Sequence, residues 1–320
     1  MRYVLAVDLG GTKCSAAVVD REGRILSRGT LGVEVSSPSA PVRQIIRLAR
    51  DLMEGLKPKA SLAAVGVAVP GLVRRNGTVW APNLPGWERM PLGNRLKRVL
   101  EIPVVVESDR NAAVLGECWR GAARGRCDVI VLMIGTGIGA GIMSGGRVVR
   151  GAHELSGCAG WLSVSLDGKS NSGATGELES LTAGPGIANT VRKRLQEGEA
   201  SSLAQFDPSK ITARETAEAA RAGDHMALDI FREAGRLLGF GVANIVSLFD
   251  PEIVIIGGGM AAAADLYLGS LRHAMLEKAQ PLAARQVKLA VSKLGDRANL
   301  LGCARLAWQS LKIREVKERG

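Results

Sequence analysis

Two glycine-rich turns, each closing an apolar run, constrain this chain more than any other feature. Val4-Leu5-Ala6-Val7-Asp8-Leu9 runs into Gly10-Gly11-Thr12-Lys13, and Val129-Ile130-Val131-Leu132-Met133-Ile134 runs into Gly135-Thr136-Gly137-Ile138-Gly139. Apolar runs of this length, bounded by glycine, read as strands buried on both faces. A Gly-Thr turn at a strand end offers backbone N–H groups and a hydroxyl with no Cβ in the way, an arrangement suited to a phosphate. Its occurrence twice predicts a duplicated architecture that grips a nucleoside triphosphate from two sides.

The intervening sequence alternates between strand and helix patterns, which indicates α/β layering. Cys14 to Asp20, the polar Arg21-Glu22-Gly23-Arg24 and Ile25 to Arg28 predict a meander of hairpin-linked strands. Ser37-Pro38-Ser39 reads as the cap of a helix whose apolar positions Val42, Ile45, Ile46, Ala49, Leu52 and Met53 fall at helical spacing. Leu62 to Val69, closed by Pro70-Gly71, and Pro103 to Glu107 read as strands, the latter followed by a helix from Asn111 to Cys118. The second half repeats the plan: a hairpin turning at Gly145-Gly146, a long helix from Met226 to Leu248, a strand from Glu252 to Ile256, then Gly257-Gly258-Gly259 and a helix through Leu271. Ala298 to Leu311 predicts a last amphipathic helix. The Ser/Gly-rich stretch from Ser165 to Ala174 is expected to be the least ordered, and the tail from Lys312 to Gly320 a frayed end.

Composition narrows the function classes. With 320 residues and 46% hydrophobic content the chain can bury one large core or two modest ones. No apolar stretch approaches the roughly 18–20 residues that span a membrane. The first strand begins at Tyr3, which is unlike a signal peptide, so a cytoplasmic location is expected. The five scattered cysteines, Cys14, Cys118, Cys127, Cys158 and Cys303, form no CxxC and suit reduced thiols, most of them in the core. A net charge of +11 either attracts an anionic partner or makes a basic solvated surface. With 3% aromatic residues and no basic stretch interleaved with stacking side chains, nucleic acid is not the expected partner, and nucleotide phosphates suffice as the anion.

Two familiar phosphate motifs fail. Gly135-Thr-Gly-Ile-Gly-Ala-Gly141 superficially matches a dinucleotide fingerprint, but that motif needs a helix directly after it, and here a strand and a Gly-Gly hairpin follow. Gly10-Gly11-Thr12-Lys13 lacks the Walker A spacing. What remains is a pair of β-hairpin phosphate clips, as expected for an actin-like ATPase fold.

Several segments together resemble the ROK family, named for repressors, open reading frames and sugar kinases. They are Asp8-x-Gly10-Gly11-Thr12-Lys13, Pro70-Gly71, Pro82-Asn83-Leu84-Pro85-Gly86-Trp87, Glu107-Ser108-Asp109-Arg110-Asn111-Ala112-Ala113 and Gly135-Thr136-Gly137-Ile138-Gly139, in that order. Each is weak alone; the ordered set, running from about residue 2 to residue 311, is specific. The resemblance implies an α/β fold of two actin-like, hexokinase-type (RNase H-like) domains with an interdomain cleft: 1–118 plus 300–320, and 119–299. It further implies transfer of the ATP γ-phosphoryl group to a sugar hydroxyl, with Mg²⁺ as cofactor and a homodimer as the assembly. Asp109 matches the family's general base; on local grounds it can also be a helix N-cap ahead of Asn111. Asp8 would hold Mg²⁺ through water, or is an ordinary turn aspartate. Gly10, Gly11, Thr12, Lys13, Gly135, Thr136 and Gly137 match phosphate positions, and Ile255-Ile256-Gly257-Gly258-Gly259 looks like the adenosine-side turn. Asn83 matches a sugar contact, or is a Pro-Asn turn; Gly71 belongs to the same sugar set.

The chain departs from the family pattern in one segment. Where the family has Glu-x-Gly-His, this chain has Cys158-Ala159-Gly160-Trp161. Where it has Cys-x-Cys-Gly-x-x-Gly-Cys-x-Glu, this chain has Ser170-Asn171-Ser172-Gly173-Ala174-Thr175-Gly176-Glu177-Leu178-Glu179. All four zinc positions have changed, to Trp161, Ser170, Ser172 and Glu177. Zinc prefers thiolate or imidazole, so no zinc is expected. The sugar positions have changed too: the family's Asn before the base is Ser108, its Glu is Cys158 and its His is Trp161, while Glu179 remains. Losing a carboxylate and an imidazole removes charge-assisted hydrogen bonds of about 1.5–3 kcal/mol each, so the sugar preference is expected to differ from glucose. Trp161 either stacks on a sugar face or simply fills the space left by zinc and histidine. The rival expectation is a sugar- or nucleotide-binding protein without catalysis. A DNA-binding repressor is not expected, because the first phosphate strand begins where a helix-turn-helix domain would precede it.

Overall fold

The computed structural model describes residues 2–55, 61–165 and 175–317, with the side chains of the last helix described as far as Lys312. The stretch expected to be least ordered lies outside the described residues except for Ser165. The first elements are β1 (Arg2–Leu9), β2 (Lys13–Val19), β3 (Ile25–Gly32), α1 (Ala40–Glu54), β4 (Ser61–Val69), β5 (Leu72–Val73), β6 (Val79–Trp80), α2 (Leu92–Leu100), β7 (Val104–Ser108) and α3 (Asp109–Arg120). After them come β8 (Val129–Ile134), β9 (Ile138–Ser144), β10 (Arg147–Val148), α4 (Glu177–Thr182), α5 (Gly184–Gln196), α6 (Ala213–Arg221) and α7 (His225–Phe249). The chain ends with β11 (Ile253–Gly257), α8 (Ala264–Lys278), α9 (Pro281–Gln286), β12 (Lys288–Val291) and α10 (Arg297–Lys317).

Contacts divide the chain into two compact units, one of Met1–Gly125, Val148–Ser156 and Asp296–Gly320, the other of Arg126–Arg147 and Gly157–Gly295. The sequence placed the breaks at 118/119 and 299/300; in the structure they fall after Gly125 and before Asp296, and Val148–Ser156 joins the first unit.

In the first unit the sheet order is β3-β2-β1-β4-β7, with β1 antiparallel to β2 and parallel to β4. Alternation along β1 sends its side chains to both faces. Leu5, Val7 and Leu9 join Ile45 and Leu48 of α1 and Leu92 and Leu96 of α2 in one buried cluster. Val4 and Ala6 join Ala112 of α3 and Leu300, Cys303 and Ala304 of α10 in the other. Each fully buried leucine of this kind contributes roughly 1.5–3 kcal/mol. Helices α3 and α10 meet backbone to backbone: a Cβ added at Gly302 would lie 1.8 Å from the Ala112 carbonyl oxygen. That close crossing brings the first turn of α10 up to the end of β1.

The second unit repeats the order as β10-β9-β8-β11-β12, again with a hairpin partner on one side and parallel neighbours on the other. Helices α7 and α8 pack against each other on this unit.

Three local expectations need correction. Ser39 is the N-cap residue of α1, but its side chain makes no capping hydrogen bond. Its hydroxyl accepts from Arg95 at 2.9 Å instead, and Pro41 removes one of the N–H groups a cap would serve. The tail does not fray from Lys312, because α10 continues to Lys317; no glycine or proline interrupts these helix formers before Gly320. Only Cys14 and Cys303 are buried, Cys118 is intermediate, and Cys127, in the bend before β8, and Cys158, just after a turn, are exposed. Among the described residues, no helix is long and apolar enough to cross a membrane.

Candidate active site

In the first unit, three parallel strands end on one edge of the sheet. Asp8 pairs in register with Ala68, Ala68 with Glu107, and Val69 with Ser108. Asp109 follows directly as the first residue of α3, two positions earlier than the expected helix start. Ser108 is the N-cap residue of that helix, so Asp109 itself is not the cap. Asp8 and Asp109 therefore project from the same sheet edge, and Asp109 is among the charges acting on Asp8.

Burial is the largest influence on Asp8 and pushes its pKa up to about 6; Asn299 and Lys13 pull it down while Asp109 and Asp296 push it further up. Asn299 Nδ2 donates to Asp8 Oδ1 at 3.1 Å, and the Oδ1 of Asn299 is buried without a partner. Burial likewise holds the Asp109 carboxyl above the usual carboxylate range, opposed by the Arg110 backbone N–H and charge. That N–H lies 2.8 Å from Asp109 Oδ1, and the backbone N–H of Asp109 itself also stabilises the carboxylate.

The neighbouring turn is tightened by Gly10 N–H donating to the Lys13 carbonyl at 2.9 Å, and it leaves Gly11, Thr12 and Lys13 exposed. Asn83 sits beside it, its Cβ 3.7 Å from where a Cβ on Gly11 would stand. The loop that carries exposed Asn83 is anchored by buried Trp87, whose indole N–H donates to the Pro38 carbonyl at 2.9 Å. Gly71 has a backbone reason of its own: its φ is +109°, and a Cβ there would lie 2.3 Å from the Trp80 carbonyl oxygen. Ser108 is buried, and its hydroxyl has no partner.

In the second unit, the turn Gly135-Thr136-Gly137 and the triplet Gly257-Gly258-Gly259 end adjacent parallel strands, with Gly257 in register with Met133. A Cβ on Gly135 would lie 3.8 Å from the Gly259 nitrogen. Gly258 has φ +81°, and a Cβ there would stand 2.3 Å from the Ile134 carbonyl oxygen. The N–H of Gly184, at the start of α5, donates to the Gly135 carbonyl at 2.8 Å. Backbone from three places thus converges with no side chain between.

The carboxylate of Glu179, placed by sequence among the sugar contacts, accepts the Ile138 N–H at 2.7 Å. Gly137 and Gly160 both lie against it, with hypothetical Cβ atoms 2.8 and 2.9 Å from its Oε2. It therefore lies between the Gly135–Gly137 turn and the segment that carries Cys158 and Trp161. Cys158 is exposed, and Trp161 is 59% exposed, so the indole does not fill an interior gap. Of the positions matched by sequence to the family's zinc ligands, Ser170 and Ser172 lie outside the described residues, while the buried Glu177 carboxylate takes the N–H groups of Val164 and Ser165 and the Ser165 hydroxyl.

Sequence reasoning missed three side chains here. Glu107 stood in a quoted motif without a role, although a carboxylate closing an apolar Val104-Val105-Val106 run is a signal that it must be paired. Arg150 and Asn299 carry no local signal at all.

A family model for the ROK family matches residues 4–310. The chain belongs to the ROK family. It is 34% identical to a glucokinase of Streptomyces coelicolor, over 96% of this chain and 98% of that protein. Among solved structures, a ROK glucokinase from Streptomyces griseus in complex with glucose and AMPPNP shares 33% identity and a TM-score of 0.81, covering 96% of this chain and 99% of that one. A ROK transcriptional regulator, a homologue of the E. coli MLC protein, shares 26% identity and a TM-score of 0.86, covering 95% of this chain and 77% of that one. The fold is the two-domain, actin-like α/β fold of these ROK structures.

Magnesium fits the first unit of this ROK chain. Asp8 offers the hard oxygen donor the ion takes, in a place where burial and the Asp109 charge disfavour an unneutralised carboxylate.

Proposed function

We propose that this ROK protein transfers the γ-phosphoryl group of ATP to a hydroxyl of a sugar, with Asp109 as general base. The observation that carries the reading is the Asp109 carboxylate, set at the sheet edge beside Asp8, bonded only to its own helix and raised in pKa by burial. A base must take the hydroxyl proton as the new P–O bond forms, and it does so best when its pKa approaches the working pH. A side chain already tied up by other donors could not serve. Gly10, Gly11, Thr12 and Lys13, with Gly135, Thr136 and Gly137, hold the phosphates through backbone N–H groups, the Thr12 and Thr136 hydroxyls and the Lys13 ammonium. Gly257, Gly258 and Gly259 take the adenosine side. Magnesium held by Asp8 would supply neutralisation of phosphate charge. The glucose and AMPPNP in the Streptomyces griseus structure support both ligand classes.

The sugar is a hexose or an amino or N-acetylated hexose, with a preference shifted away from glucose. Asn83 and Glu179 retain polar groups for ring hydroxyls, while Cys158 and exposed Trp161 offer a thiol and an indole where the family has charged or basic groups. An indole favours a sugar face or a less polar substituent. The loss of thiolate and imidazole donors at Trp161, Ser170, Ser172 and Glu177 supports a protein without zinc.

The second reading, a binder without catalysis, is favoured by one observation: the Ser108 hydroxyl is buried next to the base. ATP consumption across hexoses, amino sugars and N-acetylated sugars separates the two. Turnover on at least one sugar supports the kinase. Silence on all of them, with an ATP analogue still bound, supports the binder.

A further inference from the structure

The Asp109 carboxylate is bonded to backbone N–H at its own helix start, and its neighbours on both sides are tied down by side chains. Glu107 is 6% exposed at the end of β7. Its Oε1 accepts the Ser108 N–H at 3.0 Å and the Asn111 Nδ2 at 3.0 Å. Its Oε2 accepts Arg150 Nε at 3.0 Å and Nη2 at 2.6 Å. One carboxylate therefore brackets Asp109, holding the backbone N–H of the residue before it and the side-chain amide of Asn111 after it. Arg110, the next residue, reaches back to the same short segment that carries Arg150: its Nε donates to the Ser156 carbonyl at 3.0 Å and its Nη2 to the Glu154 carbonyl at 3.3 Å. The side chain of Glu154 is held in turn by Arg75 at 2.9 Å.

The segment Val148–Ser156 is the stretch that packs with the first unit although the chain on either side belongs to the second. It leads directly into Gly157-Cys158-Ala159-Gly160-Trp161. A buried carboxylate with four donors is costly to assemble unless every donor is in place. Removing the arginine leaves Glu107 charged, buried and free to turn away from Ser108 and Asn111.

We infer that Glu107 and Arg150 are positioning residues for the base: Arg150 orients the Glu107 carboxylate, and Glu107 ties the backbone before Asp109 and the Asn111 side chain after it. The inference rests on the assignment of Asp109 as general base. Neither residue touches the reacting atoms, and loss of either misplaces the carboxylate without removing it. Displacements on the scale of an ångström cost about a hundredfold in rate.

The test compares the parent protein with Arg150→Ala and Arg150→Lys. For Arg150→Ala, kcat should fall by about 10- to 100-fold while the KM for ATP stays within about twofold, because a transition-state geometry is lost rather than nucleotide binding. Millimolar guanidinium should restore part of the lost kcat in Arg150→Ala and none in the parent, since the ion can occupy the site beside Glu107. Arg150→Lys should recover part of the rate, as it keeps the charge but not the fork. A second readout is independent of activity: amide exchange of the 104–111 segment should quicken in Arg150→Ala and slow again with guanidinium. An unchanged kcat, or a loss of kcat that guanidinium does not relieve together with unchanged exchange at 104–111, overturns the inference. A parent silent on every sugar overturns the kinase reading instead, and the exchange measurement then still decides whether Arg150 holds this backbone.

Discussion

In the first unit the strand ends beside the glycine turn carry carboxylates, Asp8 on β1 and Asp109 just past β7. In the second unit β8 and β11 end in glycine, Gly135–Gly137 and Gly257–Gly259, and β12, which takes the place of β7 in the sheet order, ends at Val291 with no carboxylate at its end. The sheets are otherwise laid out alike, each central strand with a hairpin partner on one side and a parallel strand on the other, beyond which lies a second parallel strand. The contrast has an electrostatic reason. A triphosphate is strongly anionic, so the half that merely grips it does best with bare N–H groups. Carboxylates belong where a cation and a proton transfer can use them. On the proposed reading the first unit carries the reacting groups and the second holds the nucleotide, and at the second unit's turn Oε2 of Glu179 accepts the Ile138 N–H.

The largest expected effect breaks the reacting half. Asp109→Asn should lower kcat by about 10²–10⁴-fold with ATP binding preserved. It should also abolish the acidic limb of the pH–rate profile: in the parent, activity rises with pH as Asp109 loses its proton, at a pH above the ordinary carboxylate range. Equal rates in mutant and parent would refute the assignment.

The next effect is on stability and has a defined sign. Burial raises Asp8 from its ordinary 3.8 to about 6, so the folded state holds this proton more tightly than the unfolded chain. The group contributes its full stabilisation at pH below 3.8 and loses it as pH rises through about 6. Above that the ionised form costs the folded chain on the order of 2–3 kcal/mol. In buffer without divalent cations, Asp8→Asn should therefore raise Tm at neutral pH and leave it nearly unchanged at the acid end. It should also weaken the Mg²⁺ dependence of ATP binding. A lower Tm at neutral pH would show that the Asn299 hydrogen bond outweighs the burial cost.

The smallest effects compare the two turns directly. Gly258→Ala puts a Cβ 2.3 Å from a carbonyl in a left-handed backbone and should cost about 1–3 kcal/mol, with weaker nucleotide binding. Gly11→Ala meets nothing closer than 3.7 Å and should change Tm by a degree or less, measured by calorimetry on both variants. Similar losses for the two would erase the distinction between a strained glycine and an open one.

Much of this was legible in the residues. The meander after Gly10, the Gly145-Gly146 hairpin, the long helix near 226–248 and the strand before Gly257 follow from apolar period and turn chemistry, which act over a few residues. Boundaries shifted where a neighbour decided them: the helix after β7 starts at Asp109 because Glu107 supplies acceptors for Ser108 and Asn111. Ser39 stands at the right place for a cap, yet its hydroxyl is taken by Arg95, a residue on another helix. The exposure of Trp161 and of Cys127 had no pattern to announce it either.

What the sequence determined alone is the set of local conformations and the candidate groups: where glycine must bend, which runs are buried, and that Asp8 lies near the end of its strand and Asp109 just past another. Only the tertiary structure decided how those groups are held. Asn299 reaches Asp8 because α10 crosses α3 through Gly302, Arg150 reaches Glu107 because Val148–Ser156 packs within the first unit, and Glu179 at the start of α4 reaches Ile138 across the sequence. Each pairing joins residues that no local period relates. A hydrogen bond between distant side chains depends on the whole packing that brings their backbones within reach, and that packing is not written at either position.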